Sequence, residues 1–165
     1  MYTVHSGAVT PGFQIASGGS RGAAARRSPF SAGALHLQDP HFRAQGLDLT
    51  REIPGLIWGT INVTLVTPLA LDRPDITLEG VDWTRDEPDP ACRLAPETFS
   101  FVRCCLAHAG AFHVGLIYYP HPETKLATNA HDPRVLEILS ARVEGLAIGD
   151  AAAVVCRANA FRAMA

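Results

Sequence analysis

The sequence lacks the features that mark several large classes of protein. Its apolar runs are too short to span a membrane, and its formal net charge of −2 gives no reason to expect nucleic acid as a partner. The N-terminus has neither the basic stretch nor the apolar core of a secretory signal, so we expect a cytoplasmic protein. The cysteines show no disulfide-framework spacing, which predicts reduced and mostly buried thiols at Cys92, Cys104, Cys105 and Cys156.

The chain has the size and composition of one globular domain. Its 165 residues, of which 47% are hydrophobic and 18% charged, are enough to bury a core, so we expect a single domain over residues 1–165. Short apolar stretches alternate with Gly and Pro signals, and few stretches show a helical period. This pattern predicts a mainly β fold, either an all-β barrel or a β-rich α+β domain.

Two extended runs in the middle of the chain predict a hairpin. Residues 98–106 and 112–119 are rich in aromatic and β-branched side chains, and the sequence Ala109-Gly110-Ala111 separates them. Pro120 and Pro122 then end the second strand, because proline cannot donate a hydrogen bond to a neighbouring strand.

The C-terminal third contains one ambiguous segment and one predicted strand. Asp132-Pro133 is a good helix opening, but the apolar run at 135–139 is short enough for a buried strand, so periodicity leaves both readings open. Gly149 and Asp150 predict a turn, in which the glycine takes a left-handed conformation and the aspartate bonds to the backbone. The apolar residues 151–156 then form the last predicted strand.

A short helix and two long loops are expected elsewhere. Asp39 as N-cap, Pro40 at the first helical position and Gly46 after the end predict a helix of one to two turns. Residues 18–30 form a Gly/Ala/Arg-rich loop, which is either a solvated connector or a lid that places backbone N–H groups and arginines on phosphates. Residues 67–96 are proline-rich and expected to be mostly loop, anchored by the indole of Trp83.

The segment Pro54 to Leu65 is the most informative part of the chain. It runs from a glycine-marked turn into a strand on which Thr60 and Asn62 share one face, because strand side chains alternate. A hydroxyl and an amide carbonyl suit Mg²⁺, which takes oxygen ligands and obtains the rest from water and substrate phosphates. The alternative is an ordinary hairpin whose polar side chains satisfy nearby backbone groups.

A second group of polar side chains lies between two prolines at residues 121–125. His121 and Glu123 are candidates to orient or deprotonate an acceptor hydroxyl, since either accepts a proton within hydrogen-bond reach. Lys125 is the candidate cation for a transferred phosphate, and the arginines of the long loop are the alternative: Arg21, Arg26 and Arg27. Taken singly, each of these residue types is more often an ordinary surface residue than a catalytic one.

Two other kinds of chemistry find less support. Zinc would need three or four converging ligands, and the candidate spacings match no standard zinc motif: Cys104, Cys105, His108, His113, His121 and His131. A cysteine nucleophile is also disfavoured, because an apolar strand raises the thiol pKa and the sequence identifies no partner histidine.

Three segments, in this order, resemble the archaeal CTP-dependent riboflavin kinase family. They span most of the chain and comprise Gly7, Ala8 and Val9 with Gly12 and Ala16; Gly59, Thr60, Ile61, Asn62 and Val63 after Pro54; and Val135, Leu136, Glu137, Ile138 and Leu139 with Leu146, Gly149 and Asp150. The resemblance implies a cradle-loop (RIFT-type) β-barrel with a six-stranded core and short helices. It also favours a strand at 135–139. The two long loops, at 18–30 and 67–96, are insertions relative to that family.

The resemblance further implies a function and a set of site residues. Members of the family transfer the terminal phosphate of CTP to the ribityl hydroxyl of riboflavin, and hold Mg²⁺ through the Thr and Asn matched by Thr60 and Asn62. By the same analogy, Gly7, Gly12 and Ala16 border the nucleotide phosphates. The 121–125 loop matches no pattern of the family. The expected function is therefore a nucleotide- and Mg²⁺-dependent small-molecule kinase, and the alternative is a barrel that binds a nucleotide or other small ligand without turnover.

Overall fold

Nine strands and two short helices form the regular structure of the described residues, which are 1–12, 33–125 and 132–164 of the computed structural model. The strands are β1 (Tyr2–Thr10), β2 (Ile61–Leu65), β3 (Leu69–Leu71), β4 (Ile76–Val81), β5 (Glu97–His108), β6 (Ala111–Pro120), β7 (Val135–Ser140), β8 (Ala151–Arg157) and β9 (Phe161–Ala163). The helices are α1 (Ala34–Ala44) and α2 (Leu49–Glu52), and a single 3₁₀ turn covers Pro90–Cys92. The prediction of a mainly β fold is confirmed.

Six antiparallel strands close into a barrel in the order β5-β6-β7-β2-β1-β8. Closure depends on the length of β5. Its first half pairs with the extra strand β4, where Phe101 lies opposite Ile76, and its second half pairs with β8, where Cys104 lies opposite Cys156. Strands β3 and β9 form a separate two-stranded sheet. The predicted barrel with a six-stranded core and short helices is therefore confirmed.

The apolar side chains form two cores on opposite faces of the sheet. The barrel interior holds one face of each strand, including Val9, Val63, Val102, Leu106, Ile138 and Val154. A second core, which we call the outer core, packs α1 and α2 on the outside of β4 to β7 and includes Leu35, Phe42, Leu49, Phe99, Phe101, Tyr118 and Leu139. Side chains that alternate along a strand therefore point either into the barrel or toward α1.

The predicted hairpin and the C-terminal elements are present. Strands β5 and β6 are joined by a two-residue turn, Ala109-Gly110, in which both residues have positive φ (47° and 81°), as the right-handed twist of a hairpin favours. The ambiguous segment at 135–139 is part of strand β7. Gly149 has a φ of 95°, and the Asp150 carboxylate accepts a hydrogen bond from the Ala147 backbone, as the predicted turn requires.

The predicted start of the short helix is wrong. Helix α1 begins at Ala34, so Pro40 lies inside it and the Asp39 carboxylate pairs with Arg43 instead of capping the helix. An internal proline removes one helical hydrogen bond at a cost of roughly 3 kcal/mol. The buried face formed by Leu35, Gln38 and Phe42 offsets that cost and requires a helix that begins before Leu35. The predicted end holds, since Gly46 follows the helix with a φ of 93°.

The segment 67–96 contains more regular structure than predicted, because β3 and β4 both lie within it. Trp83 is buried as expected and donates a hydrogen bond from Nε1 to Glu97 Oε2 (3.1 Å). The predicted loop at 18–30 lies entirely outside the described residues, as do Ala16 and His131. None of the described helices is long and apolar enough to cross a membrane.

Candidate functional site

Thr60 and Asn62 lie together at the start of β2. Val63 points into the barrel, so Asn62 points outward, and its side chain is nevertheless buried (8% exposed). The Thr60 hydroxyl donates a hydrogen bond to Asn62 Oδ1 over 3.0 Å. The two oxygens predicted to hold a cation are therefore adjacent. They are also hydrogen-bonded to each other, which is the arrangement expected if the segment is an ordinary turn.

Gly12 makes room for the carboxamide of Asn62. A Cβ atom at position 12 would lie 2.9 Å from Asn62 Nδ2, closer than real Cβ contacts allow, and 3.1 Å from Asn62 Oδ1. Two parts of the predicted site, 50 residues apart in sequence, are thus in contact in the fold. Gly7 has a different reason to be glycine, because a Cβ there would collide with the Thr64 carbonyl of the neighbouring strand.

A row of polar side chains crosses the outer face of the barrel at this level. Asn62 lies opposite Thr10 on β1 and opposite Glu137 on β7, and Glu137 in turn lies opposite Tyr118 on β6. We call Thr10, Asn62, Glu137 and Tyr118 the polar row. Residues that face each other directly in an antiparallel pair have Cβ atoms about 4.5–5.5 Å apart, so one small ligand can touch several members of the row.

Helix α1 covers the Tyr118 end of the polar row. The buried Tyr118 hydroxyl donates to Gln38 Oε1 over 2.9 Å, and Gln38 is only 2% exposed. Burying a hydroxyl and an amide costs free energy unless they bond to each other, which this pair does. The row thus starts under a helix and extends toward the Gly12 and Thr60 end.

Among the described residues, two carboxyl groups and one lysine act on each other at this face. Burial raises the pKa of Glu137, and Lys125 partly offsets the effect. Burial also raises the pKa of Glu97, against which both the hydrogen bond from Trp83 and the charge of Lys125 act. The ammonium group of Lys125 therefore acts on two carboxyls that lack full solvation.

The 121–125 loop divides the three predicted catalytic residues between two faces of β5. Phe99 and Phe101 belong to the outer core, so Ser100 points the other way, and its hydroxyl is hydrogen-bonded to His121 Nε2 (2.8 Å). The other ring nitrogen, Nδ1, is 2.8 Å from Glu123 Oε1. Of His121, Glu123 and Lys125, Lys125 is the one whose charge acts on the carboxyls beside the polar row.

The loop is held in place by backbone contacts. His121 donates from its backbone N–H to the Thr98 carbonyl, and the Thr98 N–H donates to Thr124 Oγ1. The backbone N–H of Lys125 donates to the His121 carbonyl, which closes a helical turn. These bonds fix where Lys125 leaves the loop, so its position is a property of the fold.

The arrangement gives no support to zinc or thiol chemistry in the described part of the chain. No group of three or more His, Cys, Asp and Glu side chains there is arranged to hold a metal ion. Cys104 and Cys105 point to opposite faces of β5, and one is buried and the other half-exposed. Burial raises the pKa of Cys104 far above its usual range and that of Cys156 to about 11, so neither is a thiolate at neutral pH.

Sequence reasoning assigned no role to Glu137, Tyr118 or Gln38. Glu137 was detectable, because it is the one acidic residue inside the apolar run at 135–139, and a carboxylate in a buried strand needs an explanation. The hydrogen bond between Tyr118 and Gln38 joins residues 80 positions apart, so no local sequence pattern predicts it.

The comparisons with known proteins add no relative to this picture. No protein-family model matches the chain, and no curated protein matches its sequence. The geometry of the polar row is therefore the basis on which a function can be assigned.

Proposed function

We propose that the polar row is the phosphoryl-transfer site of a small-molecule kinase that uses Mg²⁺ and a nucleoside triphosphate, with CTP and riboflavin as the expected substrates. The observation that carries the proposal is the 3.0 Å separation of Thr60 Oγ1 from Asn62 Oδ1, and the close approach of Gly12 to Asn62 supports it. Neighbouring ligands of an octahedral Mg²⁺ lie about 2.9 Å apart when Mg–O distances are about 2.05 Å. The spacing of the two oxygens fits such a pair.

The residues present fit a magnesium ion that arrives with its nucleotide. Thr60 and Asn62 contribute neutral oxygens, so the negative charge has to come from the phosphates, which is the usual way proteins hold nucleotide-bound Mg²⁺. The Thr60 hydroxyl can rotate its proton away from Asn62 without moving the backbone. When bound, the ion would neutralise phosphate charge.

The side chains of the row have complementary roles in the proposed transfer. Glu137, opposite Asn62, accepts the proton of the acceptor hydroxyl while that oxygen bonds to the terminal phosphorus and the nucleoside diphosphate leaves. Burial shifts the pKa of Glu137 upward, toward neutral pH. A general base works best when its pKa lies near the working pH. Lys125 supplies positive charge beside Glu137. Positioning and charge neutralisation provide most of the acceleration in this chemistry.

The second candidate is a barrel that binds the nucleotide without turnover. The hydrogen bond between Thr60 and Asn62 favours it, because both side chains are already satisfied without a metal. In that case the carboxylate at position 137 has no proton to accept, and its replacement leaves the affinity for nucleotide unchanged.

A panel of nucleoside triphosphates with Mg²⁺, followed by riboflavin as acceptor, separates these candidates. We expect CTP with Mg²⁺ to raise the melting temperature and riboflavin to be phosphorylated. Thr60→Val and Asn62→Ala are expected to lower turnover roughly 100-fold, the effect of losing about 3 kcal/mol of charge stabilisation. The matched control is Thr77→Val, which removes a hydroxyl that bonds to Ser100 on β5. Binding without turnover leaves the second candidate, and no response to any triphosphate refutes both.

A further inference from the structure

An aromatic pair lies next to the proposed site. The imidazole of His36 stacks on the indole of Trp58, with ring centroids 4.4 Å apart and 29° between the ring planes. Trp58 is two residues before Thr60, and His36 is two residues before Gln38, whose side chain bonds to Tyr118 of the polar row. We call His36 and Trp58 the aromatic stack.

The backbone presents the indole in a fixed orientation. Gly59 donates from its N–H to the Ile57 carbonyl over 2.8 Å, which makes Trp58 the central residue of a γ-turn. Ala109 is the one non-glycine residue in the described ranges with a positive φ, so this turn at Trp58 is the inverse form, which is unstrained. The position of the indole relative to Thr60 is therefore set by the turn.

The stack opens to solvent on its histidine side. His36 is exposed, whereas Trp58 is half-buried against the outer core. Helix α1 does not need the histidine for docking, because Leu35 and Phe42 of the same helix are completely buried. An exposed ring that lies flat on an indole, beside the proposed phosphate site, is a surface on which a further planar ring can stack.

We infer that the aromatic stack is the subsite for a planar heteroaromatic ring of the substrate. The inference rests on the proposed function and adds the chemical class of group that is recognised beside the transferred phosphate. The ring has two possible sources, the base of the nucleotide and the ring system of the acceptor. Stacking is tolerant of ring identity because every such ring has a π face. The subsite therefore indicates a planar heteroaromatic ring, and the experiment shows whether that ring belongs to the nucleotide or to the acceptor.

The chain contains two tryptophans, which makes the test direct. In protein labelled with ¹⁵N-tryptophan, two indole N–H signals are expected, and the one from Trp83 serves as the internal control because its N–H bonds to the buried Glu97. Three ligands are titrated with Mg²⁺ present: tripolyphosphate, which has no ring, CTP and riboflavin. A shift of the Trp58 signal with CTP or riboflavin, without a comparable shift for Trp83, supports the inference and identifies the source of the ring.

Variants of the exposed histidine test the stacking itself. His36→Ala is expected to weaken the affinity of the ring-bearing ligand about 5- to 100-fold, the range measured for losing one stacking partner, and to leave tripolyphosphate binding unchanged. His36→Phe restores most of the affinity because it keeps a flat ring. His41→Ala, on the same helix, is the matched control and leaves all affinities unchanged.

The failure of this inference is distinguishable from the failure of the proposed function. If tripolyphosphate with Mg²⁺ binds, but neither CTP nor riboflavin shifts the Trp58 signal, the ring subsite is refuted and the phosphate site stands. If riboflavin shifts Trp58 while no phosphate ligand binds, the ring subsite is supported and the kinase is refuted. If none of the three ligands binds, both are refuted.

Discussion

The barrel interior and the outer face beneath α1 are built from the same strands but contain different chemistry. On β7, Leu136 and Ile138 point into an interior filled mainly by apolar side chains, whereas Glu137 points outward into the polar row. A barrel of eight strands is just wide enough for side chains to fill it, and six strands leave still less space. A ligand therefore has no room inside, so a ligand site has to lie outside the barrel interior.

The largest effect is expected from the interior. Ile138 is fully buried, and Ile138→Ala is expected to lower the free energy of unfolding by about 2–5 kcal/mol, because a cavity remains where the strands cannot collapse. In a domain of this size, each kcal/mol corresponds to about 2–4 °C in melting temperature. Urea denaturation gives the value. A loss below 1 kcal/mol would show that the barrel relaxes around the cavity, and would contradict the rigid interior argued above.

Two glycines provide a sharper contrast between fold and site. Gly7→Ala is expected to cost about 1–3 kcal/mol, because its Cβ would collide with the Thr64 backbone carbonyl, which can move only with the strand. Gly12→Ala meets the end of the Asn62 side chain, which can turn away. It is therefore expected to leave the melting temperature nearly unchanged and to weaken binding of Mg²⁺ with triphosphate.

Thermal melts of both variants, with and without Mg²⁺ and CTP, check this contrast. Equal losses of stability would mean that position 12 is as constrained as position 7 and that the Asn62 carboxamide is held rigidly. Unchanged ligand binding in Gly12→Ala would separate that glycine from the site.

The sequence predicted the strands better than the site, for a physical reason. The β5–β6 hairpin, the turn at Gly149 and Asp150, and the pairing of a hydroxyl with an amide at Thr60 and Asn62 all follow from alternation and turn chemistry, which are local. The start of α1 was missed because the local signal at Pro40 was outweighed by burial of Leu35, a tertiary effect.

The partners of the predicted site residues were also hidden in sequence. His121 and Lys125 are four residues apart, yet one bonds to Ser100 on one face of β5 and the charge of the other acts on carboxyls at the opposite face. Which face a loop residue reaches depends on how the loop is anchored to Thr98, a contact that forms only when β5 and β6 have paired.

The most conservative substitution, and the most diagnostic, is Glu137→Gln. Burial raises the pKa of Glu137 in the folded protein above its ordinary value of 4.5, so the folded state holds the proton more tightly than the unfolded state does. The stability that this carboxyl contributes is therefore complete below about pH 4.5 and is lost as the pH rises through the folded pKa. Glutamine does not ionise, so melting temperatures of the variant should equal those of the wild type at low pH and exceed them increasingly above pH 4.5.

The same substitution should abolish turnover, because glutamine cannot accept the proton of the acceptor hydroxyl, while Mg²⁺–CTP still binds. A more stable but inactive variant is the pattern expected where a buried charge is kept for function at the expense of stability. Glu144→Gln is the control, since that carboxylate is exposed beside Arg142 and should change neither stability nor activity appreciably. If Glu137→Gln parallels the wild type at every pH, the carboxyl is better solvated than its place in the polar row implies. If turnover survives, another group accepts the proton of the acceptor hydroxyl. The polar row would then bind the ligand without supplying the general base.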